Sequence, residues 1–283
     1  MTTALLLLTC AASLAAGPAP LADSLFLAGD YAGAATEFRR ALFSGPPGDS
    51  SGVLLRLGLS LGLAGELDRA ARFFALIPGA DTAARHAGGT ALAGLLVRQG
   101  DLEEAQLTIL ELRTSIDAAG LRPELDGQLA WLNARLGRPD AAAASLKRAG
   151  RDADAAIARS AGAGPRRNAS TAALLSSVLP GTGELYAGRP GAGLLSFAVN
   201  AGTGAGIYFA ARDEDWVGAC VLFVFGFMRF YNGSRANAAD FAEEFNRRQR
   251  QLRLDALVAE RLGEPDWFVG VRRATGLAPP TGP

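Results

Sequence analysis

The chain has 283 residues, with 28 basic and 28 acidic side chains and a formal net charge of zero. That length has room for two modest domains, and the balanced charge, with no long basic run, excludes the electrostatic footprint of a nucleic-acid binder. His86 is the only histidine, and Cys10 and Cys220 are the only cysteines. They offer no paired metal ligands and no base beside a nucleophile, so the sequence gives no catalytic residue, metal or cofactor and does not read as an enzyme.

Residues 4–16 form a short apolar run that ends in small residues. Ser13-Leu14-Ala15 fits the small-x-small rule for signal-peptidase cleavage, so residues 1–15 read as an export signal. Met1-Thr2-Thr3 brings no lysine or arginine, and Thr9-Cys10 is a poor match to a lipoprotein site. An uncleaved anchor and a lipid anchor therefore stand as alternatives.

An internal period follows. Gly29, Gly65, Gly100 and Gly137 are 36, 35 and 37 residues apart. Five residues after each glycine comes an alanine: Ala34, Ala70, Ala105 and Ala142. Nine after it comes a large apolar residue: Phe38, Phe74, Ile109 and Leu146. Seven before it the residue is small (Ala22, Gly58, Ala93, Ala130), and four before it stand Leu25, Leu61 and Leu96, with Asn133 the exception. This spacing predicts a helix–turn–helix unit in which the glycine ends one helix in a left-handed conformation. The acidic Asp30, Glu66 and Asp101 open the next helix, and Arg138-Pro139 replaces them in the last copy. The pattern resembles divergent tetratricopeptide repeats over roughly residues 19–150, with 151–159 as a short capping helix. The resemblance implies a helical solenoid over 19–159 whose open face holds a protein or peptide. His86 falls between repeats and reads as an ordinary polar residue.

Ser160-Ala161-Gly162-Ala163-Gly164-Pro165 has linker composition, and residues 160–168 read as the linker, ending in Arg166-Arg167. Paired arginines there suit phosphate headgroups of a membrane. Residues 169–234 read as a membrane hairpin. Ala169 to about Val178 is apolar, and Pro180-Gly181-Thr182-Gly183 then breaks the helix. From Pro190 to Ala211 there is no charge for 22 residues, long enough to span a hydrocarbon core. After Asp213-Glu214-Asp215, a second apolar run from Trp216 to Met228 spans only if Arg229 snorkels and Phe230-Tyr231 are included. Gly202 and Gly206 form a G-x-x-x-G pair that suits close helix approach, against this second helix or in a homo-oligomer. Asn200, near mid-depth, should face a partner helix rather than lipid.

Pro180, Gly181, Gly183, Tyr186, Gly188, Asn200, Phe230, Tyr231 and Gly233, with Ala236 and Asn246 downstream, carry a second resemblance. It is to small bacterial two-helix membrane modules with a P-G-x-G-Q-x-Y-x-G signature over about residues 172–246, reminiscent of TM2-type hairpins. It implies membrane location and no activity. Glu184 stands where those modules carry glutamine, so restoring glutamine is expected to preserve function. Tyr186 and Arg189 suit an interface, and Glu184, Arg189, Arg229 and Asn232 form a candidate polar cluster. That cluster either caps and anchors helices or contacts a lipid headgroup or substrate.

Residues 235–262 read as an amphipathic helix, with Phe241, Phe245, Leu252 and Leu257 against Arg247, Arg248, Arg250 and Arg253. Residues 263–283 read as a poorly ordered tail. The expected architecture is all-α: a helical repeat solenoid joined to a transmembrane hairpin. A cleaved signal places the repeats outside the cytoplasm, whereas arginines at the outer ends of the hairpin argue the reverse, and a third crossing over 169–187 would reconcile them. The expectation is two crossings, a periplasmic repeat domain, and a membrane-anchored scaffold of the bacterial cell envelope. The alternative is an oligomeric membrane module that assists transport or membrane assembly.

Overall fold

The computed structural model describes residues 19–44, 50–115, 120–164 and 166–277; the expected export signal lies outside them. Every regular element among these residues is helical. The chain divides into two compact units, one of residues up to Ala156 together with Val258 onward, the other Ile157–Leu257.

The first unit contains four helix pairs: α1 (Pro20–Leu27) with α2 (Tyr31–Ser44), α3 (Ser50–Leu63) with α4 (Leu67–Ala75), α5 (Thr82–Gln99) with α6 (Leu102–Ser115), and α7 (Arg122–Arg135) with α8 (Pro139–Arg148). The four column glycines join them, with φ of 82°, 88°, 89° and 72° in chain order. An L side chain is disfavoured in that conformation. Each turn closes in the same way. The N–H after the glycine donates to the carbonyl of the residue four before it: Asp30 to Leu25, Glu66 to Leu61, Asp101 to Leu96 and Arg138 to Asn133. Because the acceptor is a backbone carbonyl, Asn133 serves as well as leucine. Ala34, Ala70, Ala105 and Ala142 are fully buried, as are Phe38, Ile109 and Leu146, with Phe74 nearly so. A Cβ on Gly58 would strike the Phe74 ring, so within this pair the small position receives the large residue.

Two expectations need correcting here. Helix α9 runs Asp152–Ala163, so the first four residues of the expected linker are helical. The tail is also not loose over its described part, 263–277: α14 (Val269–Thr275) packs on α3 and α5. The tail's remaining residues lie outside the described ones. Trp267, Phe268, Val271 and Leu277 are all buried in the core of this unit. The Trp267 ring meets Trp131 edge-on at 5.8 Å, and Arg98 lies over Phe268. Gly94 leaves the room that Trp267 fills, Gly270 sits against Ala87, and the Arg56 guanidinium donates to the Thr275 carbonyl at 3.0 Å. This second covering explains why α3 is buried almost all round, including Arg56 and Ser60. His86, expected between repeats, lies buried within α5.

The second unit holds α10 (Ala169–Val178), the short α11 (Thr182–Tyr186), α12 (Pro190–Arg212) and the greater part of α13 (Trp216–Leu262). The expected second crossing and the amphipathic helix are thus one continuous helix, with π-helical turns at Leu222–Phe227 and Val258–Leu262. Helices α12 and α13 are both long and apolar enough to cross a membrane, and protein covers little of either apolar stretch. A core helix of a soluble protein would be mostly covered. The close approach expected along the glycine face of α12 is only partial. Gly206 meets Leu222 and Gly226 meets Thr203, while Gly202 has no neighbour and Phe223, Phe225 and Phe230 are exposed.

Candidate functional site

Pro180-Gly181 forms a tight turn closed by the Thr182 N–H donating to the Leu179 carbonyl, with Gly181 at φ 99° as such a turn requires. A side chain on Gly181 would strike the Gly193 carbonyl, and one on Gly183 the Ala172 carbonyl, so these glycines let the turn press backbone to backbone into α10 and α12. That approach carries Glu184 inward until it is fully buried. Gly188, at φ 82°, ends α11, and Arg189 N–H closes the cap on the Glu184 carbonyl.

Three hydroxyls meet the Glu184 carboxylate. Ser176 of α10 donates to Oε2 at 2.7 Å, and Ser196 of α12 and Ser234 of α13 donate to Oε1 at 2.8 Å each. Ser176 in turn accepts from the Gly183 N–H, and Ser234 from the Gly181 N–H. Among the described residues, no arginine or lysine lies within ion-pair distance of the Glu184 carboxylate. The fully buried apolar residues beside this network are small, Ala172, Ala187, Ala238 and Ala242, with Tyr186 and Phe241 partly buried against them.

The expected cluster of Glu184, Arg189, Arg229 and Asn232 is therefore not assembled. Arg189 pairs with Glu244 and lies over Phe241. Asn232 is exposed. The serines that do hold Glu184 escaped the sequence reading; the available cue was a serine on each apolar helix around a lone acid. Tyr186 Oη accepts from the Asn168 N–H, and Tyr231 Oη donates to the Ser177 carbonyl at 2.7 Å. Asn246 brackets Arg167, accepting from its N–H and donating to its carbonyl, both at 2.8 Å.

Asn200 faces inward, as expected, and is only 5% exposed. Its Nδ2 donates to the Ser196 carbonyl, and its Oδ1 has no partner. It lines a cavity of about 450 Å³ together with Ser196, Gly233, Ser234, Arg229 and Asn237, walled by Leu195, Val199 and Phe230. No protein-family model matches the chain, and no curated protein or solved structure matches it either.

Proposed function

We propose that the protein is a membrane-anchored scaffold whose helical-repeat unit takes a protein or peptide partner. In this reading the repeats are tetratricopeptide-like, the hairpin α12–α13 crosses a membrane of the bacterial cell envelope twice, and the repeats stand in the periplasm. Two uncovered span-length helices beside a repeat unit support it.

The observation that carries the topology is the composition of the first unit, built from chain on both sides of the hairpin. Trp267 packs on Trp131 across that insertion. Chain that enters and leaves the membrane to join one folded unit must do so on one side, so the number of crossings is even. That favours two over three. The partner surface is also narrowed, since α14 already occupies one face of α3 and α5. The uncovered groove over α4 and α6 offers Asp68, Asp101 and Glu104 around Leu92 and Leu96, which suits a basic segment of a partner.

Cysteine labelling at positions 150, 213 and 263 tests the topology in intact membranes. Positions 150 and 263 are expected to label from one side and 213 from the other. A common side for 150 and 213 would overturn the reading, as would release of the full-length protein by carbonate.

A further inference from the structure

The cavity beside Asn200 has an unusual distribution of charge. Ser196 and Ser234, which both line the cavity, spend their only protons on Glu184. What their hydroxyls have left to offer is acceptor capacity, part of which Ser234 gives to the Gly181 N–H. Behind them lies a buried carboxylate with no cation among the described residues. Asn200 adds a buried carboxamide oxygen without a partner. A buried charge or acceptor left in this state is costly, and a donor or cation brought to it is correspondingly favoured. Arg229 stands exposed on the same cavity, and among the described residues no carboxylate pairs with it.

The complement of an acceptor-rich interior and a cationic rim is a zwitterion, with an ammonium bearing N–H donors next to an anionic phosphate. The apolar wall decides its source. Leu195 and Phe230 flank the cavity and are largely exposed, and they belong to the two helices long enough to span a membrane. A cavity of this size lies within the usual range for small-ligand sites. We infer that it binds the headgroup of an aminophospholipid, the primary ammonium toward Ser196, Ser234 and Asn200, the phosphate on Arg229, and the acyl chains along Leu195, Val199 and Phe230. Guanidinium is well suited to a phosphate at such a position.

A lipid ligand presupposes the membrane insertion proposed above, and the two are tested separately. The full-length protein, purified in mild detergent and given equimolar phosphatidylethanolamine, phosphatidylcholine and phosphatidylglycerol, is weighed by native mass spectrometry. One phosphatidylethanolamine is expected to be retained about tenfold over phosphatidylcholine, whose ammonium has no N–H, as the loss of a charge-assisted hydrogen bond implies. Arg229→Gln, on an exposed side chain, should lower that retention by a similar factor. Glu184→Gln should bring phosphatidylethanolamine down to the phosphatidylcholine level with helix content unchanged. Excess soluble phosphoethanolamine should fail to displace the lipid. Equal retention of the ethanolamine and choline lipids, preference for phosphatidylglycerol, or indifference to both substitutions would overturn the site. Displacement by soluble phosphoethanolamine would overturn the lipid assignment. A protein that resists carbonate yet shows no headgroup preference defeats this site alone, whereas a carbonate-soluble protein defeats the anchor.

Discussion

Two buried carboxylates in this chain are held in opposite ways. Asp126, in the repeat unit, is gripped by Arg113 and Arg148, both at 2.9 Å. Glu184, in the hairpin unit, has three serine hydroxyls instead. The surroundings differ to match. The repeat unit fills its core with Phe38, Leu55, Leu57, Leu129 and Leu132, whereas the hairpin unit closes on alanines and backbone-to-backbone glycine contacts. In water, apolar area supplies the drive and can be spent on large side chains. In lipid, where the proposed function places the hairpin, that drive is absent between helices, and close approach with interhelical hydrogen bonds takes its place. A serine also brings no charge of its own into such a site, where an arginine would bring another ion to desolvate.

The largest expected effect breaks the water-driven side. Trp267→Ala removes a buried indole and leaves a cavity over Gly94 and Trp131, at a cost of about 3–5 kcal/mol. Amide hydrogen exchange in the reconstituted protein should speed up across α3 and α5 while α10 to α12 keep their protection. Loss of protection in α12 as well would show that the two units do not divide the work in this way.

A smaller effect tests the other side. Glu184→Leu leaves three inward hydroxyls without their acceptor, and unfolding in mixed micelles should show a loss of about 2–3 kcal/mol, since each serine can fall back on a helix carbonyl. Glu184→Gln keeps one oxygen for Ser196 and Ser234 and offers Ser176 a donor, so its cost should stay under about 1 kcal/mol. Equal losses for the two substitutions would mean that the buried charge, rather than the hydrogen-bond lattice, holds the helices.

The smallest effect is a pH dependence confined to the repeat unit. Burial pushes His86 below the ordinary histidine value of 6.5, with Glu124 opposing in part. The unfolded chain then binds the proton more readily than the folded one, so stability is full above about pH 6.5 and falls as pH drops below it. Asp23 works the other way. Burial raises its carboxyl above 3.8 against the pull of Arg56, so its contribution is full below that value and is lost as pH rises through the folded-state value. The denaturation midpoint of the repeat unit should therefore drop between pH 7.5 and 5.5, and His86→Gln should flatten that slope. An unchanged slope in the variant would assign the effect elsewhere.

Much of the repeat unit is legible in the sequence because its signal is local. A glycine, an alanine five residues on and a large residue nine on belong to one turn and the helix after it, and Gly29 through Gly137 repeat them. The length of α12 is legible for the same reason, whereas the continuity of α13 through Arg229 is not. The acceptor network is not, because Ser176, Ser196 and Ser234 stand on three helices, separated from Glu184 by 8, 12 and 50 residues. Nothing in a linear pattern distinguishes them from Ser177, whose hydroxyl simply returns to the Ala173 carbonyl of its own helix. The tail was illegible because a helix of seven residues shows no period. Its only cue was the pair Trp267-Phe268, whose counterpart on α5 is Gly94.

The distance in sequence between Trp131 and Trp267 also sets an order of events during synthesis. At 5–20 residues per second, the roughly 110 residues after Ala156 take about 6–22 s to emerge before Trp267 is available. For that interval most of the repeat unit exists with the Gly94 side of α5 uncovered, while the hairpin is being made. A nascent chain in this state carries an apolar groove with no occupant, open to a chaperone or to another chain. Residues made after the hairpin are therefore the ones that close the unit begun before it.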